Sequence, residues 1–118
     1  MKKQETLGQF EQLVLAAVST VDEAYGITIH EAAEKLGRRP LKLGAIYATL
    51  DRLEDKGYLR SWMTEAIAER GGRPKRCYEI ETKGKHALKE STETAVRIHD
   101  AVVRTGLWKP RKAKTETG

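Results

Sequence analysis

The run from Lys42 to Gly57 constrains this chain most, because it reads as one helix with two chemically different faces. Leu43, Ile46, Leu50 and Leu53 recur at helical spacing, and Gly57 supplies a left-handed C-terminal stop. That face is expected to be core. The opposite face carries Ala45, Ala48, Asp51, Arg52 and Asp55, with Lys42 and Gly44 at its N-terminal end and Tyr47 and Thr49 on its flanks. Small side chains let a helix backbone approach another surface closely. A helix that is apolar on one side, and small then cationic on the other, suits the major groove of DNA, so this run is expected to be a recognition helix.

The flanking sequence gives such a helix a setting. Phe10, Leu13, Val14, Ala17, Val18 and Val21 follow helical periodicity within Leu7 to about Val21, a first helix whose apolar face is wide enough to pack on both its own core and a second subunit. Residues 22–26 read as a turn. Thr28 with Glu31 reads as a capping box opening a short second helix, with Ile29, Ala32, Ala33 and Leu36 on its apolar face and Gly37 as its stop. The link from Gly37 to Leu41, with Arg38, Arg39 and Pro40 between, then makes a helix-turn-helix signature with the run described first. Tyr58 to Met63 and Arg76 to Ile80 are short, aromatic-rich, partly alternating strands. Between them Arg70-Gly71-Gly72-Arg73-Pro74-Lys75 forms a glycine-tipped, cationic hairpin end suited to phosphates, a wing. A last long helix is expected from Thr82 or Lys83 to Arg104, with a thin seam of Leu88, Ser91, Ala95, Ile98 and Val102 that needs a partner.

Charge follows the same division. Residues 38–76 hold ten Lys and Arg against five Asp and Glu, and residues 104–118 five against one, whereas residues 1–37 are acidic with three against six. The cations thus gather where a polyanion would meet the chain, although a plain solvated surface is the alternative reading. A length of 118 residues suits one compact domain. There is no apolar run of the roughly 18 residues a membrane span requires, and Met1-Lys2-Lys3 does not open a secretion signal. A cytoplasmic location and no membrane partner are expected. The single cysteine, Cys77, gives no disulfide and no metal-ligand spacing, and reads as a buried structural thiol. His30, His86 and His99 share no spacing, and no nucleophile, base and orienting acid assemble, so no catalytic, metal or cofactor site is expected and the chain is not read as an enzyme.

Several of these pieces together resemble the PadR family of bacterial transcriptional regulators. They are Leu7 to Leu15, then Ala24-Tyr25-Gly26, then Leu43 to Gly57 with its Gly44, Tyr47, Leu50 and Leu53 spacing ending in Lys56-Gly57, and last Gly71-Gly72-Arg73. The resemblance spans residues 7 to about 90. It implies a winged helix-turn-helix dimer that binds operator DNA, usually as a repressor, and in many members is released by a small molecule. It also implies contact of Tyr47 with the DNA backbone, and the short C-terminal segment resembles the branch with one dimerising helix. Two positions depart from the family pattern. Lys42 stands where a capping serine is usual, and Glu81 where the last helix usually begins with threonine.

The expected fold is therefore mainly α, of the α+β kind: a winged helix-turn-helix domain with a two-stranded wing and a C-terminal dimerisation helix. Residues 1–6 are read as a flexible N-terminus, 7–81 as the DNA-binding domain, 82–106 as the dimerisation helix and 107–118 as a basic disordered tail. The candidate DNA contacts are Arg38, Arg39, Lys42, Gly44, Ala45, Tyr47, Ala48, Thr49, Arg52, Arg70, Arg73, Lys75 and Arg76. Arg52 has three readings, a guanine contact, a phosphate contact, or pairing with Asp51 or Asp55. The candidate dimer contacts are Leu7, Phe10, Val14, Leu88, Ala95, Ile98 and Val102. Trp62 is assigned to the core, and Trp108 is a candidate contact for an aromatic or hydrophobic effector. The expected partners are double-stranded DNA and a second copy of the chain. The rival reading is a winged-helix protein-interaction module with only sequence-blind DNA affinity.

Overall fold

In the computed structural model, residues 7–65 and 73–109 are described. The expectations for residues 1–6, for the tail from residue 110, and for Arg70, Gly71 and Gly72 fall outside them. Three helices come first: α1 (Gln9–Thr20), α2 (Gly26–Gly37) and α3 (Leu43–Asp55). The strands β1 (Leu59–Met63) and β2 (Arg76–Ile80) follow, and α4 (Thr82–Arg104) closes the described chain. This is the mainly α, winged helix-turn-helix architecture the sequence suggested.

Each boundary has a local cause. At the start of α1 the Gly8 N–H donates to Glu11 Oε1 at 2.9 Å, so a carboxylate in the first turn takes up a donor that precedes the helix. The second helix starts earlier than Thr28 implied. Tyr25 is its N-cap, and Thr28 lies in the third helical position, where its hydroxyl accepts the Tyr25 N–H at 3.0 Å. The expected pairing of Thr28 with Glu31 is therefore replaced by a bond back to Tyr25. Nor is Gly37 the left-handed residue that ends α2; that is Arg38, with φ of 55°. Gly37 is small for another reason, since a Cβ there would stand 3.1 Å from Leu13 on α1. Gly57 does take the left-handed conformation expected of it, with φ of 82°.

The core gathers Val14, Leu15, Ala17 and Val18 of α1, Ile29 and Ala33 of α2, and Ile46, Leu50 and Leu53 of α3 with Tyr58, Leu59 and Tyr78 from the strand region. Two leucines assigned to apolar faces lie outside it, because each sits at the rim of its helix: Leu36 is 51% exposed and Leu43 39%. The strands pair antiparallel, with Leu59 opposite Ile80 and Trp62 opposite Cys77. Trp62 is not a core residue. It is 41% exposed, with the Arg60 guanidinium 4.9 Å from its ring centre. Cys77 is buried on the same strand pair.

The segment read as a plain turn does more than turn. Tyr25 bridges Cys77, and the Tyr78 N–H donates to the Ala24 carbonyl at 2.8 Å, so residues 24–25 add a minimal third strand beside β2. A single bridge has no alternation for a sequence pattern to reveal. Helix α4 docks through Gly84, where a Cβ would meet the Tyr58 carbonyl oxygen at 2.2 Å; only glycine permits that approach. Ala87 and Leu88 pack against the core edge, and beyond Ser91 the helix leaves the domain, with every residue from Thr92 to Ala101 exposed.

Candidate nucleic-acid interface

Helix α3 is held from three sides, and the contacts that hold it decide which of its side chains remain available. Its inner face buries Ile46, Leu50 and Leu53, all fully enclosed. Thr49 belongs with them. It is 1% exposed, and its hydroxyl accepts from Arg52 Nη2 at 3.2 Å, so the assignment of Thr49 to DNA contact is corrected: the helix rotation places it inward. At the other end of the same edge lies a node that the sequence did not disclose. The Glu11 carboxylate of α1, 8% exposed, accepts from Lys56 Nζ at 2.9 and 3.1 Å and lies 3.6 Å from Arg52 Nε. Burial pushes this carboxyl up, but the Gly8 N–H, Lys56 and Arg52 outweigh burial and hold it below the ordinary glutamate value. Arg52 thus turns toward α1 and Thr49, not toward Asp51 or Asp55. Charge alone could not announce the node, because Glu11 and Lys56 are 45 residues apart.

The turn entering α3 has its own clamp. His30 Nε2 donates to the Leu41 carbonyl at 2.7 Å, and Glu34 Oε2 accepts the Leu41 N–H at 2.8 Å, with the two side chains 3.3 Å apart. Both groups project from α2, one turn apart, and fix both backbone polar groups of a single residue, Leu41. Tyr47 fixes the next turn: a Cβ on Gly26 would collide with its hydroxyl, so the ring lies across the start of α2 while staying 41% exposed.

What remains open is the outer side of the first two turns. Arg38, Arg39, Lys42, Gly44, Ala45 and Ala48 are all exposed, and the three cations make no side-chain ion pair among the described residues. On the strand side Arg73 is exposed, whereas two other cations are already engaged. Lys75 Nζ lies 4.0 Å from the Tyr25 ring centre. Arg76 donates to Ser61 Oγ at 3.2 Å and stands 3.9 Å from Glu54 Oε1. Buried Tyr78 behind them has its phenol pushed up, by burial above all.

Of the candidate dimer contacts, Val14 is corrected: it is 0% exposed within its own domain and offers no surface to a second chain. Leu7, Phe10 and Leu88 are half-buried against the core, and Ala95 and Ile98 stand exposed on α4. Around them Val96 is 57% exposed and Val103 48%, and Val102 is half-buried. Trp108, 58% exposed, lies with its ring centre 5.3 Å from that of His99. Among the described residues no helix is long and apolar enough to cross a membrane, and no His, Cys, Asp and Glu cluster is suited to a metal ion.

A helix-turn-helix followed by an antiparallel ribbon, with an uncluttered small and cationic helix face, defines a winged-helix DNA-binding module. A family profile described as "Transcriptional regulator PadR-like family" matches residues 14–90, and the chain belongs to this family, whose members are transcription regulators and not enzymes. Its fold is that of a PadR family regulator from Eggerthella lenta (23% identity, 83% of this chain and 84% of that one, TM-score 0.66). It is similar also to a PadR-like regulator from Bacillus cereus (22% identity, 86% and 92%, TM-score 0.68). A third, from Clostridium difficile, shares 25% identity over 85% and 99% of the two chains, with a TM-score of 0.63. No curated protein matches the chain.

Proposed function

We propose that the protein is a homodimeric repressor, cytoplasmic, that presents two copies of α3 to successive major grooves of a pseudo-palindromic operator. The observation that carries this reading is the contrast on α4, which is anchored at Gly84 yet leaves Val96, Ile98 and Val103 exposed along its outer length. Apolar side chains on a helix that has left its own domain are explained by a second helix packing on them. In this reading residues 7–81 bind DNA and residues 82–106 pair the subunits. Arg38, Arg39, Lys42 and Tyr47 meet phosphates, and Arg73 does so from the wing side. Trp108, next to His99 at the outer end of α4, is the candidate contact for an aromatic effector that releases the DNA.

Two α3 helices related by a twofold axis imply an inverted repeat with half-sites about 34 Å apart, one helical turn. Light scattering together with selection of bound fragments from the source genome tests both parts. A dimer and a recovered inverted repeat with that spacing support the reading. A strict monomer, or affinity equal for scrambled DNA, would overturn it in favour of a protein-interaction module.

A further inference from the structure

Base edges are read by side chains that donate or accept hydrogen bonds, or by apolar side chains set against the thymine methyl group. On the outer side of the first two turns of α3 the polar options have been used elsewhere. Thr49 is buried, Tyr47 lies across Gly26 at the edge of this face and is assigned to a phosphate, and Arg52 faces Glu11 and Thr49. Lys42 precedes the first turn as its N-cap. Besides Tyr47, what remains exposed in these turns is Leu43, Gly44, Ala45 and Ala48. Gly44 is also open, with no atom of the chain within 4 Å of where its Cβ would be, so the fold itself places no demand on its smallness. Asp51 is exposed about one turn beyond Ala48.

From this inventory we infer that α3 selects A·T pairs by burying thymine methyl groups against Ala45 and Ala48, with no side-chain hydrogen bond to a base from its first two turns. This rests on the DNA-binding reading and names what that same surface reads. In the major groove the thymine C5-methyl is the only apolar group a base offers, and an alanine methyl on a closely approaching helix is its natural complement. Specificity then comes from methyl burial and from the fit of the duplex to a glycine and alanine face, while the cations supply affinity without discrimination.

The test uses the full chain and a duplex recovered by selection from random sequence, titrated by fluorescence anisotropy. Each thymine of a half-site is replaced singly by deoxyuridine, which removes the methyl and keeps every hydrogen-bonding atom. At least one thymine per half-site is expected to weaken binding about fourfold on replacement, the burial value of one methyl group. In Ala48→Gly or Ala45→Gly the thymine to uracil ratio at one of those positions should fall to near one, a readout that any general loss of helix stability leaves unmoved. Indifference to every deoxyuridine replacement, or a strong loss when 7-deazaguanine replaces a guanine facing α3, overturns the inference while leaving sequence-specific binding intact. Failure of the selection to recover any preferred sequence overturns both.

Discussion

The cations that lead into α3 and those at its C-terminal end and on the strand side, Arg73 excepted, differ in a way their number conceals. Arg38, Arg39 and Lys42 are exposed with no ion pair among the described residues, whereas Arg52, Lys56, Lys75 and Arg76 are each committed to Glu11, Tyr25, Glu54 or Ser61. The first group is a surface charge held ready for an anion. The second is architecture: it ties α3 to α1 and the strand pair to its neighbours. A stretch rich in Lys and Arg thus divides into residues that DNA would have to recruit away from a partner and residues it would find unoccupied, and only the latter add their full Coulomb attraction to binding.

The sharpest way to break this comparison is to place an anion among the unoccupied cations. Ala48→Glu adds a carboxylate on the exposed side of α3 without touching the core, and glutamate is a good helix former. Operator affinity is expected to fall by about a hundredfold or more, through a lost close approach and repulsion by phosphate. The melting temperature should hardly move, and normal operator binding would misplace the reading face.

On the committed side the largest effect is one of stability. Glu11→Gln removes the charge that Lys56 and Arg52 face and should cost about 2 kcal/mol, the scale of hydrogen bonds to charged groups, read from urea unfolding. The same carboxylate imposes a direction on the pH dependence. Its folded-state pKa is depressed, so its contribution is present above the unfolded glutamate value and is lost as pH falls through the folded one. Wild-type stability should therefore decline on acidification below about pH 4.5, near the ordinary glutamate pKa, and part of that decline should be missing in Glu11→Gln. A variant with an unchanged acid profile would show that the node is not energetically coupled to folding.

A milder variant tests the two roles against each other within one residue. Gly44→Ala meets no atom of its own chain and removes a glycine from the first turn of a helix, which should stabilise the fold by at most about 0.5–1 kcal/mol, the mid-helix value. The same methyl stands on the side expected to approach DNA, so operator affinity should fall severalfold as the melting temperature rises. A rise in both would place the duplex elsewhere.

The legibility of this molecule followed the range of its interactions. Periodicity located α1, α3, both strands and α4 to within a residue or two, because each is an amphipathic element whose pattern is local. It misassigned Thr49 and Val14, since a flank position and a wide apolar face do not state the rotation of a helix within its own core. The bridge of Tyr25 to Cys77 and the ion node of Glu11 with Lys56 were invisible for the opposite reason: their partners lie far apart along the chain and match no spacing rule. Glu11 did lie within the run that resembles the PadR family, but its role there required the fold to bring α3 alongside.

The smallest expected effects are the most discriminating, because they compare single cations of equal charge. Lys42→Ala should weaken binding to specific and scrambled DNA alike, and lower the slope of log affinity against log salt by about 1.8, the value of one released counterion from each of two subunits. Arg76→Ala should leave that slope within error of the wild type, because its guanidinium is held between Ser61 and Glu54 and its removal costs only a partly exposed pair, at most about 1 kcal/mol of stability. Anisotropy titrations of both variants across a salt series measure the difference directly. If Arg76→Ala reduced the slope as much as Lys42→Ala, DNA would be drawing Arg76 out of its pairing on binding, and the division between free and committed cations would describe only the unbound protein.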